Sequence, residues 1–184
     1  MELNLAVFNN FPILETERII LREIRVSDAK QILEMRSNNR VNQFIPRKPL
    51  EILEDAEALA QRTSDAFKNQ LAIGWAGQRK GGTEIIGTCR FNSIDFANLR
   101  AEIGGELATD HWGKMLAFEA VDAIVDFGLN SLNLQTIEAK ASPLNRGAIA
   151  ILEKLGFVKE AHFKNRVYFN GVFSDMAVYT RHKS

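Results

Sequence analysis

The residues best suited to chemistry occupy positions 107–117, Leu-Ala-Thr-Asp-His-Trp-Gly-Lys-Met-Leu-Ala, where a strand runs through a short loop into a helix. The start of a helix exposes unpaired backbone amides and carries the positive end of the helix dipole. Gly113 lets the main chain approach a bound anion, and Lys114 adds a cation there. The stretch is therefore a candidate phosphate-binding loop, although it matches neither the dinucleotide fingerprint nor the Walker loop. The alternative is that Gly113 only eases a turn and Lys114 is solvated.

A second block lies at positions 137–157 and has the pattern of a strand, a loop, a helix and a terminating glycine. Asn145 in its loop is a good N-cap for that helix. Together the two blocks resemble the GNAT superfamily of N-acetyltransferases. Within it they are most similar to the RimJ/RimL-like branch of ribosomal-protein N-terminal acetyltransferases. Members of this branch carry W-G-K-G near a helix start and N-x-x-S…L-E-K-L-G-F near the end, and the resemblance covers roughly residues 15–181.

The resemblance implies an α/β (α+β) fold with a mixed, mostly antiparallel central sheet of about seven strands, flanked by about four helices. In this family the sheet is splayed at a notch, where acetyl-CoA binds as co-substrate and its pantetheine follows the end of one strand. Gly104 and Gly105 lie in that strand here, and glycine within a strand marks either a bulge or a close approach to the backbone. The implied cofactor contacts are Leu107, Ala108, Thr109, Trp112, Gly113, Lys114, Met115, Leu116, Ala117 and Asn145.

The implied reaction is the attack of a primary amine on the acetyl-CoA thioester. It requires a group that receives the ammonium proton and a site that polarises the carbonyl group. No protein nucleophile is needed if both substrates bind together, so we expect direct transfer in a ternary complex. Cys89 fits this expectation, because it alternates with Gly87 and Phe91 and is predicted to be a core residue.

Three glutamates are candidates for the base. Glu138 stands where RimI-type relatives place a proposed catalytic glutamate, and Glu160 matches a glutamate of RimL-type relatives. Glu106, with Glu102 behind it, lies on the strand that borders the acetyl group, and partial burial there would raise its pKa towards the operating range. Each of them is otherwise a solvated or ion-paired residue.

Three positions depart from the family's pattern. Met115 replaces the second glycine of the phosphate loop, so either its backbone has a helical φ that tolerates Met or the loop binds CoA less well. Leu152 stands where many members have the tyrosine that protonates the leaving thiolate, and Ala148 replaces a serine of RimL-like members. The sequence does not identify the proton donor, for which ordered water, Ser142 or a backbone amide would serve.

Hydrophobic periodicity predicts the elements that must position these residues. The Trp112–Leu129 helix predicts a crossover connection between the strands before and after it, which makes that strand pair parallel. The strands that short turns connect are expected to be antiparallel. Lys80-Gly81-Gly82 and Asn170-Gly171 predict hairpins. Strands are expected at 17–24, 71–78, 84–94, 102–109, 136–141, 158–167 and 173–180, and helices at 28–36 after an N-cap at Ser27, at 50–68, at 112–129 and after Asn145.

Composition limits the classes of function. The 184 residues are expected to form a single domain over 1–184, and the equal counts of 23 basic and 23 acidic residues argue against nucleic acid or anionic membranes as partners. The single cysteine suggests a reducing compartment, and no apolar run reaches the length of a membrane span. We therefore expect a cytoplasmic protein. No metal site is expected, because no group of ligands has the required spacing.

Three functions remain open at this stage. The first is acetylation of a protein N-terminal amine, as the resemblance implies. The second is acetylation of a small amine such as a polyamine, which an acidic cleft built from Glu51, Glu54, Asp55 and Glu57 would favour. The third is a non-enzymatic acyl-CoA-binding module. Relatives often form dimers, and the Asn170-Gly171 hairpin is a candidate edge for a homodimer.

Overall fold

A single sheet organises the computed structural model, which describes residues 2–183. Its strands are β1 (Leu14–Glu15), β2 (Ile19–Glu23), β3 (Ile73–Arg79), β4 (Ile85–Asp95), β5 (Arg100–Leu107), β6 (Thr136–Ala141), β7 (Val158–Phe169) and β8 (Val172–His182). They lie in the order β1-β2-β3-β4-β5-β6-β8-β7. Only β5 and β6 are parallel neighbours among these strands, so the sheet is mixed and mostly antiparallel, as predicted. The eighth strand is β1, which is too short to show a periodic pattern.

Helices cover both faces of the sheet. They are α1 (Ala29–Ser37), the one-turn α2 (Asn39–Asn42), α3 (Leu53–Lys68), α4 (Leu116–Asp126) and α5 (Arg146–Lys154). The first core, which includes Ile32 and Ala60, joins α1 and α3 to one face, which we call the α1/α3 face. The second and larger core, around Trp75 and Phe91, joins α4 and α5 to the opposite face. None of the helices described over 2–183 is long and apolar enough to cross a membrane.

Two helix starts differ from the prediction. Ser27 does not cap α1, because it lies inside a short 3-10 turn over Val26–Asp28. The buried Asp28 organises this turn instead, by accepting 2.8 Å hydrogen bonds from the Arg25 amide and the Arg22 guanidinium. The predicted helix from Trp112 begins only at Leu116, since Gly113 and Met115 have φ values of +72° and +61°, which a right-handed helix cannot contain.

The parallel pair β5–β6 is short and then opens. Residues Arg100 to Ile103 pair with Thr136 to Ala139, and no pairing joins the two strands beyond that point. Each strand nevertheless continues, β5 along β4 and β6 along β8. The edges of Gly104–Leu107 and Lys140–Ala141 are therefore not paired with each other, and we call the place between them the notch. It agrees with the splayed sheet that the resemblance implies.

The glycines of β5 mark a close approach to β4. A Cβ atom on Gly105 would lie 2.7 Å from the carbonyl oxygen of Thr88 and 3.1 Å from the Cα of Cys89. The register irregularity lies on the partner strand instead, between Phe91 and Ser93. Because no side chain stands between the two backbones here, β5 stays paired with β4 beyond the point where it is no longer paired with β6.

We expect Gly105→Ala to lower the free energy of unfolding by about 1–3 kcal/mol, because the added methyl group pushes the two backbones apart. Urea unfolding at neutral pH measures the change. Gly147→Ala is the matched control, since the nearest atom to its added Cβ lies at 3.9 Å within the first turn of α5. The control is expected to be neutral or to stabilise by up to about 1 kcal/mol. Equal stability of the two variants would contradict the close-approach argument.

Candidate active site

The loop between β5 and α4 presents a row of free backbone amides. A 3-10 turn over Thr109–His111 leaves β5, and the chain then passes through the left-handed region at Gly113 and Met115. The amides from Gly113 to Phe118 donate to no acceptor within residues 2–183. Since the last of these amides form the first turn of α4, they also carry the positive end of its dipole. This geometry is suited to an anion, as the sequence predicted.

Met115 adopts a glycine-like conformation. Its φ of +61° is left-handed, so the helical φ that would have tolerated Met is not adopted. A residue with a Cβ atom is strained there by about 1–2 kcal/mol. Its side chain is 47% exposed and does not fill the core. Weaker CoA binding by this loop therefore stays a prediction.

An ion pair joins the loop to the N-terminal part of the chain. Arg18 donates from Nη1 to the Lys114 carbonyl at 3.1 Å and from Nε to Glu119 Oε2 at 2.7 Å. The Arg18 amide and the Thr16 hydroxyl both donate to Glu119 Oε1. Partial burial raises the pKa of Glu119, but the bonds from Thr16 and Arg18 outweigh it and leave the pKa below its usual value. Sequence reasoning missed this network, because its bonds join residues that are 96 to 103 positions apart.

The loop's side chains are largely engaged within it. Trp112 donates from Nε1 to the Leu107 carbonyl at 2.8 Å, and Lys114 donates from Nζ to the Asp110 carbonyl at 2.7 Å. The side chain of Leu116 is buried in the core, so its backbone amide is the group that can bind a ligand. The predicted contacts from Leu107 to Ala117 thus lie in one continuous stretch beside the notch, where main-chain groups are the accessible donors.

Asn145 lies across the notch, after the end of β6. Its Oδ1 accepts a 3.1 Å hydrogen bond from the Ala148 amide, which confirms the predicted N-cap of α5. Its Nδ2 donates to no group in the described part of the chain, 2–183. Ser142 also lies here, and its hydroxyl oxygen accepts from the Leu144 amide at 3.3 Å. Leu152 is buried in the larger core, so the position that the family fills with tyrosine belongs to packing in this chain.

Glu106 is a buried, ion-paired carboxylate. Its side chain is 2% exposed and contacts the guanidinium groups of Arg36, at 2.7 Å, and Arg47. Thr88 donates a further hydrogen bond at 3.1 Å. Burial raises the pKa of Glu106, but Arg36 and then Arg47 outweigh burial and leave the pKa below its usual value. The expectation of a raised pKa was therefore wrong, because two distant arginines converge on this side chain.

The other two candidate bases lie in a row on the α1/α3 face. Glu138 is the register partner of Glu102 on β5 and of Thr180 on β8, and Arg100 contacts it at 3.1 Å. Glu160 on β7 accepts from Thr180 at 3.0 Å and from His182 at 2.9 Å. Glu138 and Glu102 lie one residue before β5 and β6 separate, whereas Glu160 lies two strands further from the notch.

Cys89 is a core residue, as predicted. It is 7% exposed, and burial raises the pKa of its thiol to about 12. A thiol in that state is a poor nucleophile, because the thiolate is the reactive form.

We expect Glu106→Gln to lower the free energy of unfolding at pH 7 by about 3–5 kcal/mol, because it leaves Arg36 and Arg47 buried without a counter-ion. The pKa of Glu106 is lowered in the folded protein, so its ionised form stabilises the protein above the unfolded value of about 4.3. This stabilisation is lost as the pH falls through the folded pKa. The difference between variant and wild type should therefore shrink between pH 7 and pH values below about 4 in thermal unfolding.

The matched control for this variant is Glu138→Gln, which breaks an ion pair with the half-exposed Arg100. It is expected to cost less than about 1 kcal/mol. A difference between Glu106→Gln and wild type that does not change with pH would contradict the assignment of an ionised Glu106.

Comparison with known proteins agrees with this arrangement. The family model described as Acetyltransferase (GNAT) domain matches residues 18–158. The chain is 34% identical over 170 residues to the uncharacterized N-acetyltransferase YoaA of Bacillus subtilis (strain 168). The alignment covers 92% of this chain and 96% of that protein. It is 23% identical over 160 residues to the spermidine N(1)-acetyltransferase of Vibrio cholerae serotype O1, and this alignment covers 86% of this chain and 90% of that protein.

Solved structures show the same fold. The structure of RimL, a ribosomal L7/L12 alpha-N-protein acetyltransferase in complex with coenzyme A, has a TM-score of 0.85 at 19% identity, covering 93% of this chain and 98% of that one. The ribosomal-protein-S5-alanine acetyltransferase from Vibrio fischeri has a TM-score of 0.81 at 27% identity, covering 94% and 97%. With the notch, the free amides and this extent of similarity together, the chain belongs to the GNAT family of acetyltransferases and is an N-acetyltransferase.

Proposed function

We propose that this chain transfers the acetyl group of acetyl-CoA directly to a protein N-terminal α-amine, in a ternary complex formed by one domain over residues 1–184. The observation that carries the proposal is the notch. The unpaired edge of β5 is followed, after the 3-10 turn over Thr109–His111, by the free amides of Gly113 to Phe118. An extended amide-containing arm that ends in a pyrophosphate fits such a surface.

The placement of acetyl-CoA follows from these groups. Its pantetheine amides bond to the main chain from Gly104 to Leu107, and its pyrophosphate binds the amides at the start of α4. Lys114 and Arg18 add positive charge near the pyrophosphate. Asn145 donates from Nδ2 on the opposite side of the notch. The acetyl group then lies near the point where β5 and β6 separate, on the α1/α3 face.

Glu138 is the base that the geometry supports best. It lies beside the point of separation, whereas Glu160 is two strands away and Glu106 is held ionised by two arginines. In the reaction the amine nitrogen attacks the acetyl carbonyl carbon, its proton passes to Glu138, and the carbon–sulfur bond breaks. The released thiolate takes a proton from solvent, and the Ser142 hydroxyl beside the notch is our candidate to relay it, giving up its own proton as it receives one from water.

The acceptor has two supported classes. The Vibrio fischeri structure is named for acetylation of a ribosomal-protein alanine, which supports an N-terminal amine. The Vibrio cholerae relative is named for spermidine, which supports a small amine as the second candidate. A non-enzymatic CoA-binding module has no such support among the relatives compared.

The test is calorimetric titration of the protein with acetyl-CoA, followed by thiol release with a panel of N-terminal peptides and a panel of small amines. Micromolar binding and release with peptides alone is the expected result. Release with small amines alone would move the function to the second candidate. Absence of acetyl-CoA binding would contradict the proposal as a whole.

We expect Glu138→Gln to lower turnover by at least about tenfold with little change in acetyl-CoA affinity, because the variant cannot receive the ammonium proton. Steady-state thiol release and calorimetry measure the two quantities. Glu160→Gln is the matched control, and it should leave turnover near the wild-type value. Unchanged turnover in Glu138→Gln would remove Glu138 from the mechanism.

We expect Asn145→Asp to weaken acetyl-CoA binding by about tenfold or more while the melting temperature stays near wild type. Aspartate caps a helix as well as asparagine does. It removes the free Nδ2 donor, however, and places a negative charge beside an anionic ligand. Asn38→Asp is the matched control, because Asn38 caps α2 by accepting from the Arg40 amide at 2.9 Å. Equal affinities of the two variants would place the cofactor away from Asn145.

A further inference from the structure

Two adjoining cavities lie between the sheet and the helices of the α1/α3 face. The smaller encloses about 10 Å³, room for about one water molecule, and is lined by Arg36, Thr88, Arg90 and Glu106 among its polar residues. The larger encloses about 180 Å³, and its polar lining is Arg62, Thr63, Arg90 and Asn92. Arg90 lines both cavities. Of the acidic residues in the described chain, only Glu106 lines either of them.

The positive charge in these cavities exceeds the negative charge. The single carboxylate of Glu106 already contacts two guanidinium groups, those of Arg36 and Arg47. Arg90 is a third cation and has no ion-pair partner among residues 2–183; its Nε donates to the Asn92 side chain. The terminal nitrogens of both Arg36 and Arg90 make no hydrogen bond to any described residue.

Such an excess of buried positive charge is costly unless an anion balances it. Burial and then the neighbouring Arg36 lower the pKa of Arg90 from its usual value, although Glu106 partly offsets this. A guanidinium group offers a planar pair of donors that matches a carboxylate in shape and charge. The free terminal nitrogens of Arg90 are therefore suited to a carboxylate, and the larger cavity that Arg90 lines has room for one.

The cavities lie next to the reaction centre that we propose. Arg90 is the register partner of Gly104, where β5 leaves β6. Glu102, the partner of Glu138, is two residues away along β5, a distance of about 7 Å. Asn92 connects the two places, since it accepts from Arg90 and donates to Glu102 at 3.3 Å. One small molecule or peptide end can therefore reach both places.

We propose that the acceptor carries a carboxylate a few bonds from its reactive amine, and that Arg90 binds this carboxylate in the larger cavity while the amine faces Glu138 and Glu102. This inference rests on the proposed function and specifies its substrate. An acidic side chain near a protein N-terminus supplies the required chemistry, and so does a free dicarboxylic amino acid. A polycation does not, since Glu51, Glu54, Asp55 and Glu57 line neither cavity. The acidic cleft that these four residues would build stays a prediction.

The experiment compares binding of C-terminally amidated Ser-Asp-Ala-Ala, Ser-Asn-Ala-Ala and Ser-Lys-Ala-Ala to the CoA-loaded protein by calorimetry, with free glutamate and spermidine as small-molecule arms. We expect the aspartate peptide to bind at least about tenfold more tightly than the asparagine peptide. This preference should disappear in Arg90→Gln and persist in Arg166→Gln, an exposed arginine on β7. Tighter binding of glutamate than of any peptide would assign the carboxylate to a small acceptor.

Equal binding of the aspartate and asparagine peptides, tighter binding of the lysine peptide or of spermidine, or a preference that survives in Arg90→Gln would overturn the inference. So would absence of binding by every acidic probe. Should Arg90→Gln fail to fold, Arg62→Gln replaces it and should reduce the preference, because Arg62 is the other cation that lines the larger cavity. Thiol release is recorded separately: transfer without a preference contradicts only this inference, and a preference without transfer contradicts only the proposed function.

Discussion

The arrangement of the site depends on the point at which β5 separates from β6. Four residues of each strand pair, and the next four of β5 keep only one neighbour. Backbone amides and carbonyls need partners, and an open strand edge is a template for another extended chain. The close contact of Gly105 with Thr88 and Cys89 keeps this edge fixed on β4. The edge is therefore rigid before any ligand arrives, which lowers the entropic cost of binding one.

Because side chains alternate along a strand, the two faces of the sheet carry different residues. Phe91, Ile103 and Ala139 point into the core that holds α4 and α5. Their neighbours Arg90, Glu102 and Glu138 point to the opposite, α1/α3 face, where a charged row forms at the point of separation. The ion pairs of Glu106 tie this face together, because Arg36 belongs to α1 and Arg47 to the loop that precedes α3. The wall of the cavities is thus anchored on the same strand that borders the notch.

Local patterns predicted what depends on local contacts. The bounds of β6 and the N-cap at Asn145 were correct, since periodicity and capping act within a few residues. Ser27 was wrong as a cap, because Arg22 and the Arg25 amide make Asp28 the organiser of that turn. The pKa of Glu106 was wrong in direction because Arg36 lies 70 residues away in sequence. The residues around Glu106 in the sequence do not predict its pairing with Arg36. The pairing of Arg18 with Glu119 is likewise not predictable from the neighbouring residues.

The charges of the chain balance overall, yet they are segregated around the proposed reaction centre. Cations lie at the phosphate loop, through Lys114 and Arg18, and in the cavities, through Arg36 and Arg90. Carboxylates of Glu102 and Glu138 lie between these two regions, where Lys140 contacts Glu102 at 2.6 Å and Arg100 contacts Glu138 at 3.1 Å. An ammonium group in the middle can replace Lys140 or Arg100 as the partner of a carboxylate, whereas at either end it meets cations. Charges in a partly buried site interact more strongly than they do in water. An acceptor with one amine and one nearby carboxylate satisfies this field in a single orientation, with its amine directed to the thioester.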